Sequence, residues 1–434
     1  MTRLAMNGVN RPKTQNGAGQ RLALIVSKFP CVDETFILRE INALAQNGFR
    51  FDIYSIKYSN DRVVQPQAEK LQDLCIYDSF LFSKNVLSAQ WHFLRRKPLR
   101  YFRTFFSFVR HMWAAPRSLM KALVLFPKAV SFCLRMQEKG TTHVHAFWAT
   151  YPCAIAYIAK KLTGLPYSFS AHAHDIYEDG IMLPVKLRAA KFVMTCTEKN
   201  RVHLSGLAPD HAQKIKHVYH GLDLRKFRED ASFHKNDDSM LRILSIGTLY
   251  RTKGFDVLIE ACALLKKQAV PFQCKIVGDG PERDRLQRQI SSLGLGEDVT
   301  LMGYLDQEAL RSQRHWANAF ALLPRPYLHW GLPNVYIESL ASKLAVLATP
   351  LNAIDELVRN EKTGLVVESD DPEAAAAALI WMFQFPDERQ RLAEAGQTLA
   401  YKLFDEAKTT AEVVALFRQV VAPQAVPQEE QAAT

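Results

Sequence analysis

Short apolar runs alternate with helical patterns along most of the chain. Residues 22–27 read as a buried strand, and 34–46 as a helix in which Phe36, Ile37, Ile41 and Leu44 recur near helical spacing. Asp33 is placed to cap that helix and Asn47-Gly48 to stop it. Residues 51–56 alternate like a second strand. After an interruption the rhythm resumes with strands at 142–145, 167–170, 192–195 and 215–219 and helices at 151–162 and 198–204. Strands alternating with helices predict a parallel sheet covered on both faces.

Polar, charged residues 228–240 predict a linker between a first unit (21–227) and a second (241–405). In the second unit strands are expected at 242–246, 272–277, 299–302, 319–323 and 345–348, with helices at 255–267 and 334–343. Residues 372–421 read as almost entirely helical, with a last helix over 406–421. The start (1–20) and the tail (422–434) read as disordered. The fold class is α/β: two units facing each other across a cleft, where ligands of such sheets bind.

Three motifs fall where strands of the second unit give way to helices: Lys253-Gly254, Gly278-Asp279-Gly280-Pro281, and the run from Trp330-Gly331-Leu332-Pro333-Asn334 to Glu338. Glycines let a backbone approach an anion, and helix starts present free N–H groups to it. Such a turn also serves tight packing, so the order of the three carries the argument. It outlines a pocket for a nucleotide diphosphate and its sugar.

Composition changes this picture at a few points. With 48% hydrophobic and 23% charged residues the chain is globular, and 434 residues exceed one ordinary core. The seven scattered cysteines show no zinc or redox spacing, which suits reduced thiols in a cytoplasm. The first twenty residues lack a signal peptide's apolar core, and no apolar run reaches the roughly eighteen residues of a spanning helix. The net charge of +11 is concentrated: residues 84–136 hold eleven Lys/Arg and no Asp or Glu, interleaved with Trp91, Phe93, Phe102, Phe106 and Trp113. Arg96, Arg100, Arg103 and Arg110 are spaced to share a helix face. The segment suits an anionic membrane surface, against the plainer reading of core aromatics under a solvated cationic face. No nucleic-acid motif accompanies it, so nucleic acid is not an expected partner.

Ser27-Lys-Phe-Pro30, Glu34-Thr-Phe-Ile37, His143-Val-His-Ala-Phe147, Ser170-Ala-His-Ala-His-Asp-Ile176, His220-Gly-Leu-Asp-Leu224 and the three motifs above form an ordered set. In this set the chain resembles GT-B glycosyltransferases of glycosyltransferase family four, in the branch building bacterial exopolysaccharide and colanic-acid-like chains. The resemblance covers roughly residues 22–417. It implies two Rossmann-like domains, the C-terminal helices crossing back to the first. It also implies a UDP- or GDP-sugar donor held mainly by the second domain, with no cofactor and no metal. A lipid-linked or polysaccharide acceptor would bind the first domain, with transfer retaining anomeric configuration at a cytoplasmic, inner-membrane surface. Glu338 corresponds to the glutamate on the donor ribose, Lys253 to the lysine neutralising the diphosphate, and His172 to the histidine at the reaction centre. Gly247, Thr248, Arg251, Gly278, Gly280, Pro281 and Trp330 to Asn334 fall on the donor side, His145 and Asp175 on the acceptor side.

Three departures from the family stand out. Thr248 follows Gly247 where an arginine is usual, with Arg251 nearby. Trp330 replaces the first glutamate of the Glu-x7-Glu pair. Asn352-Ala353 replaces a Gly-Gly. Two readings follow: an active enzyme with a reshaped sugar pocket, using Trp330, His329 and Arg325, or a non-catalytic relative that binds a glycan or membrane. A nucleotide-sugar epimerase would leave the basic aromatic segment without a purpose. A pyridoxal phosphorylase would need a Schiff-base lysine and usually a longer chain.

Overall fold

Seven parallel strands form the first sheet, in the order β3-β2-β1-β4-β5-β6-β7. They are β1 (Arg21–Phe29), β2 (Arg50–Tyr58), β3 (Cys75–Ile76), β4 (Thr141–Phe147), β5 (Tyr167–Ala171), β6 (Val193–Thr195) and β7 (Ile215–His217). The second sheet has six, β8 (Leu241–Ile246), β9 (Phe272–Val277), β10 (Val299–Gly303), β11 (Ala319–Ala321), β12 (Ala345–Ala348) and β13 (Leu365–Val366), ordered β10-β9-β8-β11-β12-β13. Both orders reverse beside the first strand of their sheet, which opens a crevice at the carboxyl ends. A computed structural model describes residues 20–31, 34–59, 66–79, 81–113, 116–178, 180, 182–228, 238–326 and 332–421.

The strands are fully buried runs such as Leu22-Ala-Leu-Ile-Val26, as expected of sheets covered on both faces. The first helix is Thr35–Gln46; Glu34 takes the N-cap position without a side-chain cap bond, and Asp33 lies outside the described residues. Of the expected linker 228–240, Arg228 ends the short helix Arg225–Arg228, 238–240 form a turn, and 229–237 lie outside the described residues, as do 1–19 and 422–434.

Residues 84–136 fold as the helices Lys84–Arg96 and Pro98–Met112 and most of Pro116–Glu138. Pro98 begins a new helix because it has no N–H to continue the old one. This corrects the shared face: Arg96 ends one helix, while Arg100, Arg103 and Arg110 belong to the next. Phe93, Phe108 and Phe126 enter the first core, whereas Trp91, Phe102, Phe106 and Trp113 stay exposed. No described helix is long and apolar enough to cross a membrane.

The helical end comprises Pro372–Gln384, Pro386–Leu403 and Glu406–Arg418. The first two pack on the second sheet. At Phe404-Asp405 the chain crosses: Leu222 N–H donates to the Phe404 carbonyl at 2.8 Å, and Glu406 N–H to the Leu222 carbonyl at 3.2 Å. The last helix then joins the first domain's core through Val413, Val414, Leu416 and Phe417. Phe417 is fully buried, its ring 4.8 Å from His145 and 5.7 Å from Phe192. We predict that Phe417→Ala destabilises the protein by about 3–5 kcal/mol, read as a lower urea midpoint. A midpoint unchanged from wild type would show that this helix is not anchored there.

Candidate active site between the two sheets

The first half of the site is built at the end of β5. Asp175 holds the turn after it: one carboxylate oxygen accepts from the N–H of His172 (3.0 Å) and Ala173 (2.9 Å), the other from Ala149 N–H (2.8 Å). Asp175 is fully buried, so its place is under the site as a brace, not on the acceptor side. Asn200 donates to the His172 carbonyl. The His172 ring is thereby presented to a cluster, with Phe36 at 4.8 Å, Trp148 at 4.7 Å and His220 at 5.0 Å between ring centroids. Trp148 adopts a φ of 91°, uncommon for a large residue, and its indole N–H donates to Glu34 at 2.9 Å.

Glu40 completes the cluster, one oxygen 3.5 Å from His220 Nδ1. Its other oxygen and His172 Nδ1 are buried without a hydrogen-bond partner among the described residues. Burial pushes the Glu40 carboxyl up to about 7, against the pull of His172 and Arg39. Burial also pulls His172 down to about 4, helped by His220, and His220 down to about 3, helped by Arg39. Both imidazoles are therefore neutral at pH 7, which fits hydrogen bonding and positioning better than strong-base chemistry.

His145 does not belong to the site. Its ring lies wholly inside the domain, with Nδ1 2.8 Å from the Ser168 hydroxyl and Nε2 3.1 Å from that of Ser170. A histidine so satisfied is a core residue, and no acceptor reaches it. His143 is placed alike, 2.8 Å from Ser168.

The second half lies at the carboxyl ends of β8 to β12. Gly247 and exposed Thr248 lead into the turn Arg251–Lys253, and Gly254 follows with φ 69°. A Cβ on Gly254 would stand 1.9 Å from the Leu323 carbonyl oxygen, so only glycine fits. Lys253 is partly buried, and burial lowers its pKa. The Gly278–Pro281 turn reads differently from the expected phosphate cradle. Cβ atoms on Gly278 and Gly280 would strike the backbone of Gly247 (2.0 Å) and Leu249 (2.8 Å). These glycines let two loops pack together, and exposed Pro281 follows them. Arg325 is no sugar contact either. It is buried on Asp256 (3.1 Å) and Asp370 (2.7 Å) and donates to the Arg251 carbonyl, which braces the turn carrying Lys253.

Trp330, Gly331 and His329 lie outside the described residues. Leu332 and Pro333 are half-buried, and Asn334 opens the helix Asn334–Ala341 that carries Glu338. One Glu338 oxygen accepts from Arg314 at 2.6 Å; Arg314 is 2% exposed and lies over the Phe227 ring. Burial raises the Glu338 pKa and Arg314 opposes it. Arg39 joins the two halves: burial depresses its pKa, and the carboxylates of Glu406, Glu40 and Glu338 oppose that. Arg39 thus lines one small pocket with Phe36, Glu40, His220 and Glu406, and the Glu338 charge reaches it from the second domain, where Lys253 lies on the same sheet edge as Glu338. Arg39, Glu40, His220 and Arg314 were missed from the sequence. The available signal was that Phe36, Arg39 and Glu40 share one face of the first helix, beside the face of Ile37, Ile41 and Leu44 that feeds the core.

Two facing parallel sheets with a crevice between their carboxyl ends make up the GT-B fold of glycosyltransferases, and the chain has that fold. Residues 226–399 match the family of glycosyl transferases group 1. The chain is 22% identical over 309 residues to the alpha-D-kanosaminyltransferase of Streptomyces kanamyceticus, covering 66% of this chain and 79% of that one. It is 30% identical over 176 residues to the amylovoran biosynthesis glycosyltransferase AmsK of Erwinia amylovora, covering 40% of this chain and 43% of AmsK. In structure it is similar to HepE of Anabaena in complex with UDP, with a TM-score of 0.65 and 16% identity over 92% of this chain and all (100%) of that one.

The Glu40 cluster has a measurable pH signature. Between the ordinary 4.5 and about 7 the folded state holds a proton on Glu40 that the unfolded chain releases. Glu40 therefore costs stability as pH rises through that window, on the order of 3 kcal/mol in full. His172 and His220 act oppositely, adding stability as pH rises from their lowered values to the ordinary 6.5. Glu40→Gln removes only the falling component. Urea unfolding should show the variant gaining on wild type from about pH 4.5 to 7 and then levelling. A difference constant with pH would mean that Glu40 ionises as in water.

Proposed function

We propose that the protein transfers a sugar from a nucleotide diphosphate donor to a lipid-linked or growing polysaccharide acceptor, with retention of configuration. The observation that supports this reading is the pocket of Phe36, Arg39, Glu40 and His220 on the first domain, with Glu406, facing the Glu338–Arg314 pair of the second. Glu338 accepts hydrogen bonds from the donor ribose with the oxygen that Arg314 leaves available, and Arg314 keeps the carboxylate ionised and oriented. Lys253, desolvated before the leaving group arrives, meets the departing diphosphate. Arg39 supplies a second cation near the donor, where Thr248 stands in place of the usual arginine. Neutral His172 positions the sugar ring by a hydrogen bond, and the leaving phosphate oxygen takes the acceptor's proton.

The UDP bound by HepE and the amylovoran role in AmsK's name support a uridine donor and an exopolysaccharide product. The acid-free helices over 84–136 support work at the cytoplasmic face of an anionic inner membrane. Calorimetric titration with UDP and GDP tests the donor site. One of them should bind, and Glu338→Gln, which leaves Arg314 a partner, should weaken it about tenfold or more. If neither nucleotide binds wild type, the non-catalytic, glycan- or membrane-binding alternative takes its place.

A further inference from the structure

The helix Pro98–Met112 presents three faces. Thr104, Phe108 and Met112 are buried in the first domain. Leu99, Phe102 and Phe106, spaced three and four apart, form an outward apolar stripe, with Leu99 86% and Phe106 63% exposed. Between these faces Arg100 and Arg103 form one wall of a hollow of about 380 Å³. Lys160 and Lys161, in the last turn of the helix Tyr151–Thr163, form the other, with the Thr104 and Ser107 side chains between.

Four cations lining one hollow without a counter-charge are unusual. Neither helix contains an Asp or Glu, and among the described residues none of the four makes an ion pair. Burial depresses the pKa of Lys160, and Lys191, Lys214 and Lys161 add repulsion. An anion settling here relieves that repulsion, receives guanidinium and ammonium donors from two sides and finds hydroxyls at the floor. The hollow is not the donor site. The 13-residue helix Tyr151–Thr163 starts beside the His172 turn and carries the lysines roughly 14 Å along its axis, toward the opposite end of the sheet.

We infer that this hollow holds the phosphate of an anionic lipid headgroup, while Leu99, Phe102 and Phe106 enter the interface beside it. Cationic donors flanking an exposed apolar stripe match a phospholipid surface, where phosphate and acyl chain lie side by side. This deepens the membrane part of the proposed function and rests on that part alone.

The test is co-sedimentation of the full chain with phosphatidylcholine vesicles with and without phosphatidylglycerol, beside titration with inorganic phosphate and with UDP and GDP. The wild type should bind only the phosphatidylglycerol vesicles. R100Q/R103Q/K160Q/K161Q should reduce that binding at least tenfold. The charge-conserving R100K/R103K should reduce it severalfold, because lysine lacks the planar fork. Nucleotide affinity should persist in both variants, which shows that they fold and keeps this inference separate from the donor reading. Full vesicle binding by R100K/R103K would reduce the hollow to diffuse charge and overturn the inference. Vesicle binding unaffected by the glutamine variant, with inorganic phosphate binding lost, would make it a site for a free anion and overturn the lipid assignment.

Discussion

The Glu356 carboxylate sits on the amino end of a helix in the other domain. It accepts the N–H groups of Glu198 (3.0 Å) and Lys199 (2.9 Å) and the Tyr219 hydroxyl (2.7 Å). Those N–H groups have no partner within their own helix, and the helix dipole favours a negative charge there. The contact lies beside Ala353, which holds a left-handed φ of 65° where the family usually has glycine. With the chain crossing at Phe404-Asp405, it sets how the two carboxyl edges face each other. The meeting of Arg39 with Glu338, and so the whole crevice, depends on that registration.

Within the crevice, desolvation governs the chemistry. Glu40, His172 and His220 are held away from their charged forms by burial, while Glu338 is opposed in this by the buried Arg314. Glu338, proposed to bind the donor, is thus held on Arg314, while Glu40 is held near protonation beside imidazoles that stay neutral. In the proposed reaction the charges at the leaving group come from Lys253 and Arg39, both partly desolvated. A fixed cation in such surroundings acts on a departing diphosphate far more strongly than in water.

Much of the fold was legible because buried parallel strands announce themselves as apolar runs between helical patterns. Strands Cys75–Ile76 and Leu365–Val366 were not, since two residues carry no period. Asp175 was read as an acceptor-side residue, and the structure makes it a brace under the His172 turn. His145 failed because its satisfaction depends on Ser168 and Ser170 on the neighbouring strand, a pairing set by tertiary register. Arg325 failed likewise: its partners Asp256 and Asp370 are distant in sequence. The glycines of the Gly278 turn were legible as a close approach, but what they approach is backbone. Glu40 and His220 were not read as site residues, His220 only as part of a motif, because a carboxylate on a helix and a histidine after a strand look ordinary until their burial is known.

The most direct measurement is amide hydrogen exchange with and without the nucleotide diphosphate. The account predicts slowed exchange at three places together: the Arg251–Phe255 turn, the start of the Glu338 helix, and the His172 turn in the other domain. Slowing confined to segments away from these, or absent with saturating UDP and GDP, would contradict a shared crevice.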